Sequence, residues 1–458
     1  MSFSPLDSAL LGPLFTTPEM AAVFSDRAKI RAMLACEAAL ARAQGKLGIV
    51  PAELAAAIEA VSADAFDLAA IGQSTALAGV PVIPFLKALQ SHLPKSLEAA
   101  LHKGATTQDM VDTALVLQMR EAFALVRADL CETIAALSAL AQQHRTTPCV
   151  GRTYGQHAAP LSFGYKVAVW CAGIAETAVQ LNALEQRVLT ASLFGPVGTF
   201  SAMGERGPEV SQAFAGELGL NAATIAWHTS RARMVEAGVW LATLAGALGK
   251  IAGDIVFLTS TEVGEVFEPH IAGRGGSSAM PHKRNPVAST LIIAAASAAK
   301  GHVMTLLDSM AAAHERPAGA WHAEWHALPQ LFGLVAGALR EAKLLAHGFV
   351  VDAARMRANI DATRGLLFAD AAAGLLAGKM GREAAHHCVE LAAGKVREIG
   401  QSLAQVLAAD PEIARLGAGE TLGQAFDLTK SVHAAALWSD RACAQADLIL
   451  QQLTPKQR

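Results

Sequence analysis

Between Gly273 and Pro286 the sequence reads Gly273-Arg274-Gly275-Gly276-Ser277-Ser278-Ala279-Met280-Pro281-His282-Lys283-Arg284-Asn285-Pro286. No other stretch sets so much flexible backbone beside so many hydroxyl, ammonium, imidazole and amide groups. The glycines open backbone angles closed to other residues, Pro281 fixes its own φ, and Pro286 suits the start of a helix predicted from Val287 to about Thr305. Ser277, Lys283 and Asn285 then stand before a helix N-terminus. Its free N–H groups and dipole favour an anion, and the Lys283 ammonium adds to the attraction. The chemistry this suits is the holding of a carboxylate. The same residues also admit plainer readings, as a Gly-Ser linker and a solvated basic turn.

Taken position by position, Gly276 to Pro286 fits G-S-S-x-M-P-x-K-x-N-P and resembles the signature loop of the fumarase/aspartase superfamily. The resemblance implies that Ser277, the first serine of the pair, transfers a proton, and that Lys283 and Asn285 hold a substrate carboxylate. The stretch Gly151 to Gly164 resembles the superfamily's T-x-x-Q-x-A-x-P-x-x-x-G block through Thr153, Gln156, Ala158, Pro160 and Gly164. Several members carry a catalytic histidine directly after the threonine; here that position is Tyr154. His157 lies three residues on, about one turn away if the stretch is a helix entrance, and is a candidate imidazole from a shifted address. A single histidine beside a proline is otherwise structural or simply exposed. Gln156 is carried over as a substrate-binding residue.

The segment His102 to Asp109 matches H-x-G-x-T-S-x-D, with Thr107 where serine is usual; the hydroxyl is kept. The match implies that His102, Thr106 and Thr107 contact a substrate carboxylate, while Thr106, Thr107 and Asp109 equally suit a plain helix cap. Gly195-Pro196-Val197-Gly198-Thr199 resembles another superfamily turn and reads as architectural. The run His314 to Trp325, together with Val82-Ile83-Pro84 and Lys87, resembles one branch of the superfamily whose members close a ring in a small unsaturated tricarboxylate. Arg316 is then a candidate partner for a carboxylate, which guanidinium binds through two bonds. It also suits a structural ion pair with Glu315 or a neighbouring helix. Trp321 and Trp325, four apart, read as core or interface residues.

The implied reaction adds a substrate carboxylate across a conjugated double bond and protonates the carbon beside another carboxylate. The sequence leaves open whether Ser277 or His157 supplies that proton. One alternative is a lyase of the same superfamily acting on a phosphate-bearing nucleotide, which usually has Arg-Tyr where Leu14-Phe15 stand here. Another is a non-catalytic structural protein on the same scaffold, against which intact Ser277, Lys283 and Asn285 weigh.

Long helices must position these groups. Helical periodicity is read over Phe24 to Leu47, Pro51 to Ala60, Phe85 to Gln90, Asp109 to Arg145, and about 160–191, 230–260, 287–313 and 328–347, with the Gly79 to Pro84 run as a break. Alternating strand patterns are missing, so the expected fold is all-α and fumarase/aspartase-like, an elongated central helical bundle with small N- and C-terminal helical domains. The segments read as 1–104, 105–350 and 351–458, the last marked by shorter spacing and recurrent Gly365, Gly374, Gly378 and Gly381. Hydrophobic residues make up 52% of the 458, much of it alanine, which points to closely approaching helices. Between Val239 and Leu258 only Lys250 and Asp254 are charged, so such helices need neighbours on several faces. Bundles from several chains are therefore expected to pack together, and the resemblance implies a homotetramer with active sites at subunit interfaces.

A net charge of −3, without a basic block or acidic tail, gives nucleic acid no purchase. Six scattered cysteines without C-x-x-C spacing read as reduced thiols and suggest the cytosol, and Met1 to Leu14 lacks the pattern of an export signal. The uncharged run Leu68 to Leu86 is broken by glycines and prolines in a way no spanning helix would be, so no membrane partner is expected. His386-His387 face different ways, and His322, Glu324 and His326 lack the H-E-x-x-H order. Neither a metal nor a nucleotide cofactor is expected.

Overall fold

No glycine or proline interrupts the chain between Thr107 and Gln143, and the computed structural model, which describes residues 3–454, shows one unbroken helix of 37 residues there. At ~1.5 Å per residue it runs roughly 55 Å. The other long helices are Asp26–Lys46, Ala232–Leu258, Val287–Ser309, Ala320–Gly348 and Leu428–Leu453. Ser25 caps the first of these by accepting from Ala28 N, and the Asp427 carboxylate caps the last through Thr429 N. The fold is all-α, as expected, with two small two-stranded sheets.

Several boundaries differ from the sequence reading. The Ala320–Gly348 helix starts well before residue 328 and carries Pro329 inside it. The stretch 160–191 is not one helix: it divides into Phe163–Ala178 and Leu181–Val188, and its first residues belong to a strand. Val82-Ile83-Pro84 opens the helix Val82–Gln90 instead of breaking the chain, because a proline in the first turn forfeits no intrahelical hydrogen bond. The break falls at Gly79, whose φ of 75° ends the helix Leu68–Ala78. Strands, too, are present: β1 (Pro148–Thr153) pairs antiparallel with β2 (Gln156–Ser162), and β3 (Val266–Phe267) with β4 (Val350–Val351).

Packing divides the chain into two compact units. The first comprises the residues up to Leu130, Thr177–Gly249 and Leu291–Glu341; the second comprises Cys131–Glu176, Lys250–Thr290 and the chain from Ala342 onward. These units follow contacts, whereas the 1–104, 105–350 and 351–458 segments follow chain order. In the first unit Phe24, Phe332, Phe123 and Trp240 form a chain of ring contacts 5.5, 5.0 and 6.0 Å apart. Beside them Arg231 is fully buried between Asp112 and Glu324. The Trp321 indole donates to Asp112 at 2.9 Å, which makes Trp321 a core residue. In the second unit Val150 of β1 packs on Ile360, Leu367 and Phe368, fixing the β1–β2 hairpin to the C-terminal part of the chain. A further cluster, including Leu376, Val389, Leu403, Leu407 and Ile413, forms the core of the C-terminal helices.

Among the described residues three helical spans, Phe163–Val188, Ala232–Leu258 and Val287–Ser309, are long and apolar enough to cross a membrane by length and composition. The most apolar window of Val287–Ser309 is only 28% buried, and Ile293, Met304 and Leu307 stand exposed on one stripe of it. Four of the six cysteines are buried: Cys36, Cys149, Cys171 and Cys443. Burial pushes the Cys149 and Cys171 thiols up to about 12.

Candidate active site

The Gly273–Pro286 stretch closes on itself. Asn285 N donates to Gly275 O at 2.8 Å, Lys283 N to Met280 O at 3.0 Å, and Gly276 bridges to Arg284. Gly275 is required by this closure: its φ is 71°, and a β-carbon there would meet the Asn285 carbonyl at 2.7 Å. Ser277 is half-buried while Ser278 is exposed. Ser277 Oγ accepts from Met280 N at 3.1 Å and more weakly from Ala279 N at 3.4 Å. Two N–H dipoles aimed at this oxygen favour negative charge on it, which a serine acting as a base requires. Next to it lies a cavity of about 280 Å³ lined by Glu268, His270, Arg274, Lys283, Arg284 and Asn285, among others.

The helix N-terminus, however, is not available to a substrate. The Glu268 carboxylate accepts from Ala288 N at 3.0 Å and Ser289 N at 2.9 Å, and from Ser289 Oγ at 2.8 Å. The anion that the dipole of Val287–Ser309 attracts is thus the chain's own. A substrate carboxylate in the cavity would depend on the side chains of Lys283 and Asn285. Nothing in the spacing of Glu268 marks it for this task.

Gly151 to Gly164 is a hairpin rather than a helix entrance. Thr153 pairs with Gln156, Arg152 with His157, and the two-residue turn Tyr154-Gly155 has φ values of 50° and 77°. Positive φ at both central positions matches the twist of a tight hairpin, and Gly155 supplies it without strain. Tyr154 is wholly exposed at the tip, and Gln156 and His157 are exposed beside it. His157 therefore reaches solvent from a strand, not from a helical turn after Tyr154. Partial burial lowers its pKa, as does the nearby Arg152, while Glu265 pulls the other way. A lowered pKa favours the neutral imidazole and makes its protonated form the stronger acid. His157→Asn should cost at least ~10²-fold in kcat if the imidazole moves the proton, and less if it only positions substrate. Steady-state rates at saturating substrate distinguish the two roles.

Under the hairpin, Arg152 forms a two-pronged pair with fully buried Glu265, at 3.0 Å and 2.5 Å, and Asn359 Nδ2 adds a third bond to Glu265 at 2.8 Å. Glu265 leads into β3 and so to Glu268. One buried ion pair thereby ties the strand carrying Arg152 to the segment that enters the Ser277 loop.

In the first unit the segment 102–109 forms a second cluster. His102 has φ 56°, and its Nδ1 lies 2.7 Å from buried Glu37 Oε1. Burial opposes charge on His102, yet the Glu37 carboxylate and then Asp109 hold its pKa above the usual value. A raised histidine pKa means stability that is full below the unfolded value of about 6.5 and is lost as pH rises through the folded value. Denaturant titrations at a series of pH values should therefore show the wild-type advantage over His102→Gln shrinking as pH rises above that point.

Thr107 opens the long helix. Asp109 caps it by reaching back to Thr106 N at 3.0 Å, and the same carboxylate accepts from Phe194 N and Gly195 N at 3.0 Å each and binds His228 Nε2 at 2.8 Å. The Thr106 hydroxyl is not used as a cap: it accepts from Arg316 Nη2 at 2.9 Å. Arg316 also donates to Gln108 Oε1 at 3.1 Å and Pro196 O at 3.3 Å, so all three of its partners are neutral. That arrangement differs from a structural ion pair with Glu315, because the guanidinium charge is held but not compensated. Gln108 and Asp109 do most of this work, and only Asp109 stood out in the sequence. Among the described residues no group of three or more His, Cys, Asp or Glu is placed to hold a metal ion.

The chain belongs to the lyase family, which matches residues 14–301, within the fumarase/aspartase superfamily. It is 44% identical over 440 residues to 3-carboxy-cis,cis-muconate cycloisomerase of Pseudomonas aeruginosa, covering 95% of this chain and 96% of that one. It is 41% identical over 454 residues to nitrosuccinate lyase of Streptomyces davaonensis, covering 96% of each. The crystal structure of the 3-carboxy-cis,cis-muconate lactonizing enzyme from Pseudomonas putida superimposes with a TM-score of 0.91 at 40% identity, covering 96% of this chain and 100% of that one.

Proposed function

We propose that this chain cyclises 3-carboxy-cis,cis-muconate to 4-carboxymuconolactone, a step of protocatechuate breakdown in the β-ketoadipate pathway. The observation that carries the reading is Ser277 Oγ under two backbone N–H groups beside the Lys283 cavity. Relatives named for this reaction, among them the Pseudomonas aeruginosa protein at 44% identity and the Pseudomonas putida structure at 40%, support it. One substrate carboxylate oxygen bonds to a carbon of the conjugated system. The displaced electron pair moves onto the carbon beside another carboxylate, making that group enolate-like. Lys283 and Asn285 offset the charge building there, and the carbon takes one proton, so each turnover consumes one proton. Ser277 delivers that proton through its hydroxyl and recovers it from solvent, with His157 as the second candidate donor.

Exposed apolar residues on Val287–Ser309 and an exposed hairpin tip bearing Gln156 and His157 support a homotetramer in which each site draws segments from different subunits. Light scattering on the purified protein should give four times the chain mass, and an active monomer would refute the arrangement. Six scattered cysteines without C-x-x-C spacing support the cytosol as the compartment. The deciding assay mixes the protein separately with carboxymuconate and with adenylosuccinate, the substrate of the nucleotide-cleaving alternative, and follows ultraviolet absorbance. Loss of the conjugated-diene band is expected in the first mixture only. Turnover of adenylosuccinate with carboxymuconate untouched would overturn the proposal.

A further inference from the structure

Arg316 is exposed, yet its guanidinium is pinned by three acceptors that carry no charge. Nε is spent on Gln108 Oε1, and the two hydrogens of Nη2 are spent on Thr106 Oγ1 and Pro196 O, which leaves Nη1 to donate outward. Thr106 Oγ1 uses a lone pair to accept from Arg316, so its own hydrogen is turned away from the guanidinium and is free to be donated. Two donors beside one positive charge suit a single carboxylate.

What sets this geometry is Gln108. Its side chain is fully buried. Its amide nitrogen donates to His228 O at 2.8 Å and to Asp112 Oδ2 at 3.3 Å. Both neighbours are acceptors, so the amide cannot flip and its oxygen must face Arg316. Asp109, the next residue, fixes the other two acceptors by holding Thr106 N and Gly195 N, the residue before Pro196.

The resemblance already gives Arg316 and Thr106 to a substrate carboxylate; we infer that Gln108 is the positioning residue that holds this two-donor clamp in register. The inference rests on the carboxylate-substrate reading above. A guanidinium aimed beforehand costs little ordering on binding, whereas a free one must be immobilised each time.

The test uses the full-length protein, with circular dichroism and light scattering confirming that each variant is folded and assembled. Gln108→Met keeps the length but removes both hydrogen-bonding roles; KM for carboxymuconate should rise on the order of tenfold or more, with kcat falling less. Gln108→Glu keeps the shape and compensates Arg316 internally, so KM should rise here as well. Thr106→Val should raise KM by a similar factor. In Arg316→Ala, added guanidinium should restore part of the lost kcat/KM, and that rescue should vanish when Gln108→Met is combined with it. A residue that merely supports the fold would not control rescue by a free cation. Unchanged KM in either folded Gln108 variant, or equal rescue with and without Gln108, would overturn the inference. Calorimetry with tricarballylate, an unreactive tricarboxylate, separates the two readings. If the wild type ignores carboxymuconate but binds tricarballylate in a Gln108-dependent way, the clamp stands and the proposed reaction falls.

Discussion

Ser277→Ala should lower kcat on the order of 10²–10⁴-fold while leaving KM near its starting value, because the interaction it removes exists mainly in the transition state. Ser278→Ala should keep most of the turnover. The contrast follows from the geometry: Ser277 Oγ is half-buried under the N–H groups of Met280 and Ala279, and Ser278 is exposed. Both variants must be compared at saturating substrate in folded assemblies. An inactive Ser278→Ala beside an active Ser277→Ala would reverse the assignment within the pair. Lys283→Met provides a control of a different kind, since loss of a cation that binds the ground state and stabilises the enolate-like charge should raise KM and lower kcat together.

The second large effect concerns stability. Arg152→Met leaves the fully buried Glu265 carboxyl with only Asn359 for company, and should cost about 3–5 kcal/mol. Replacing both partners, as Arg152→Met with Glu265→Leu, removes the poorly partnered carboxyl and should recover most of that loss. Activity should not recover in step, because the apolar pair lacks the two-pronged bond that sets the hairpin against the segment entering the Ser277 loop. Chemical denaturation and kcat measured on the same three proteins check both statements. A double variant as active as the wild type would reduce the ion pair to a packing device.

Much of this is legible in the sequence alone. The unbroken run without glycine or proline from Thr107 to Gln143 could only be a long helix, and Gly79 marked a true chain break. The hairpin was hidden because Tyr-Gly is not among the dipeptides that announce a two-residue turn, and because β2 runs directly into a helix. The start of the helix read over 328–347 was misplaced: a proline usually marks a helix start or stop, but Ala320–Gly348 runs through Pro329. Ordered motifs picked out Ser277, Lys283 and Asn285 in one unit and Thr106 and Arg316 in the other as candidates. Their partners Glu268, Gln108 and Glu265 escaped because each acts on a residue distant in sequence, and spacing along one chain carries no record of such pairs.

The tip of the hairpin has a consequence for how such enzymes diverge. Tyr154 touches nothing that holds its own unit together and occupies a left-handed backbone position that histidine and asparagine enter more readily than most side chains. The histidine found at this address in several superfamily members fits the same turn without rebuilding it. A lineage can therefore exchange the side chain at the tip while the folding problem stays solved. A change of side chain at the tip therefore carries almost no thermodynamic penalty for the unit that bears it.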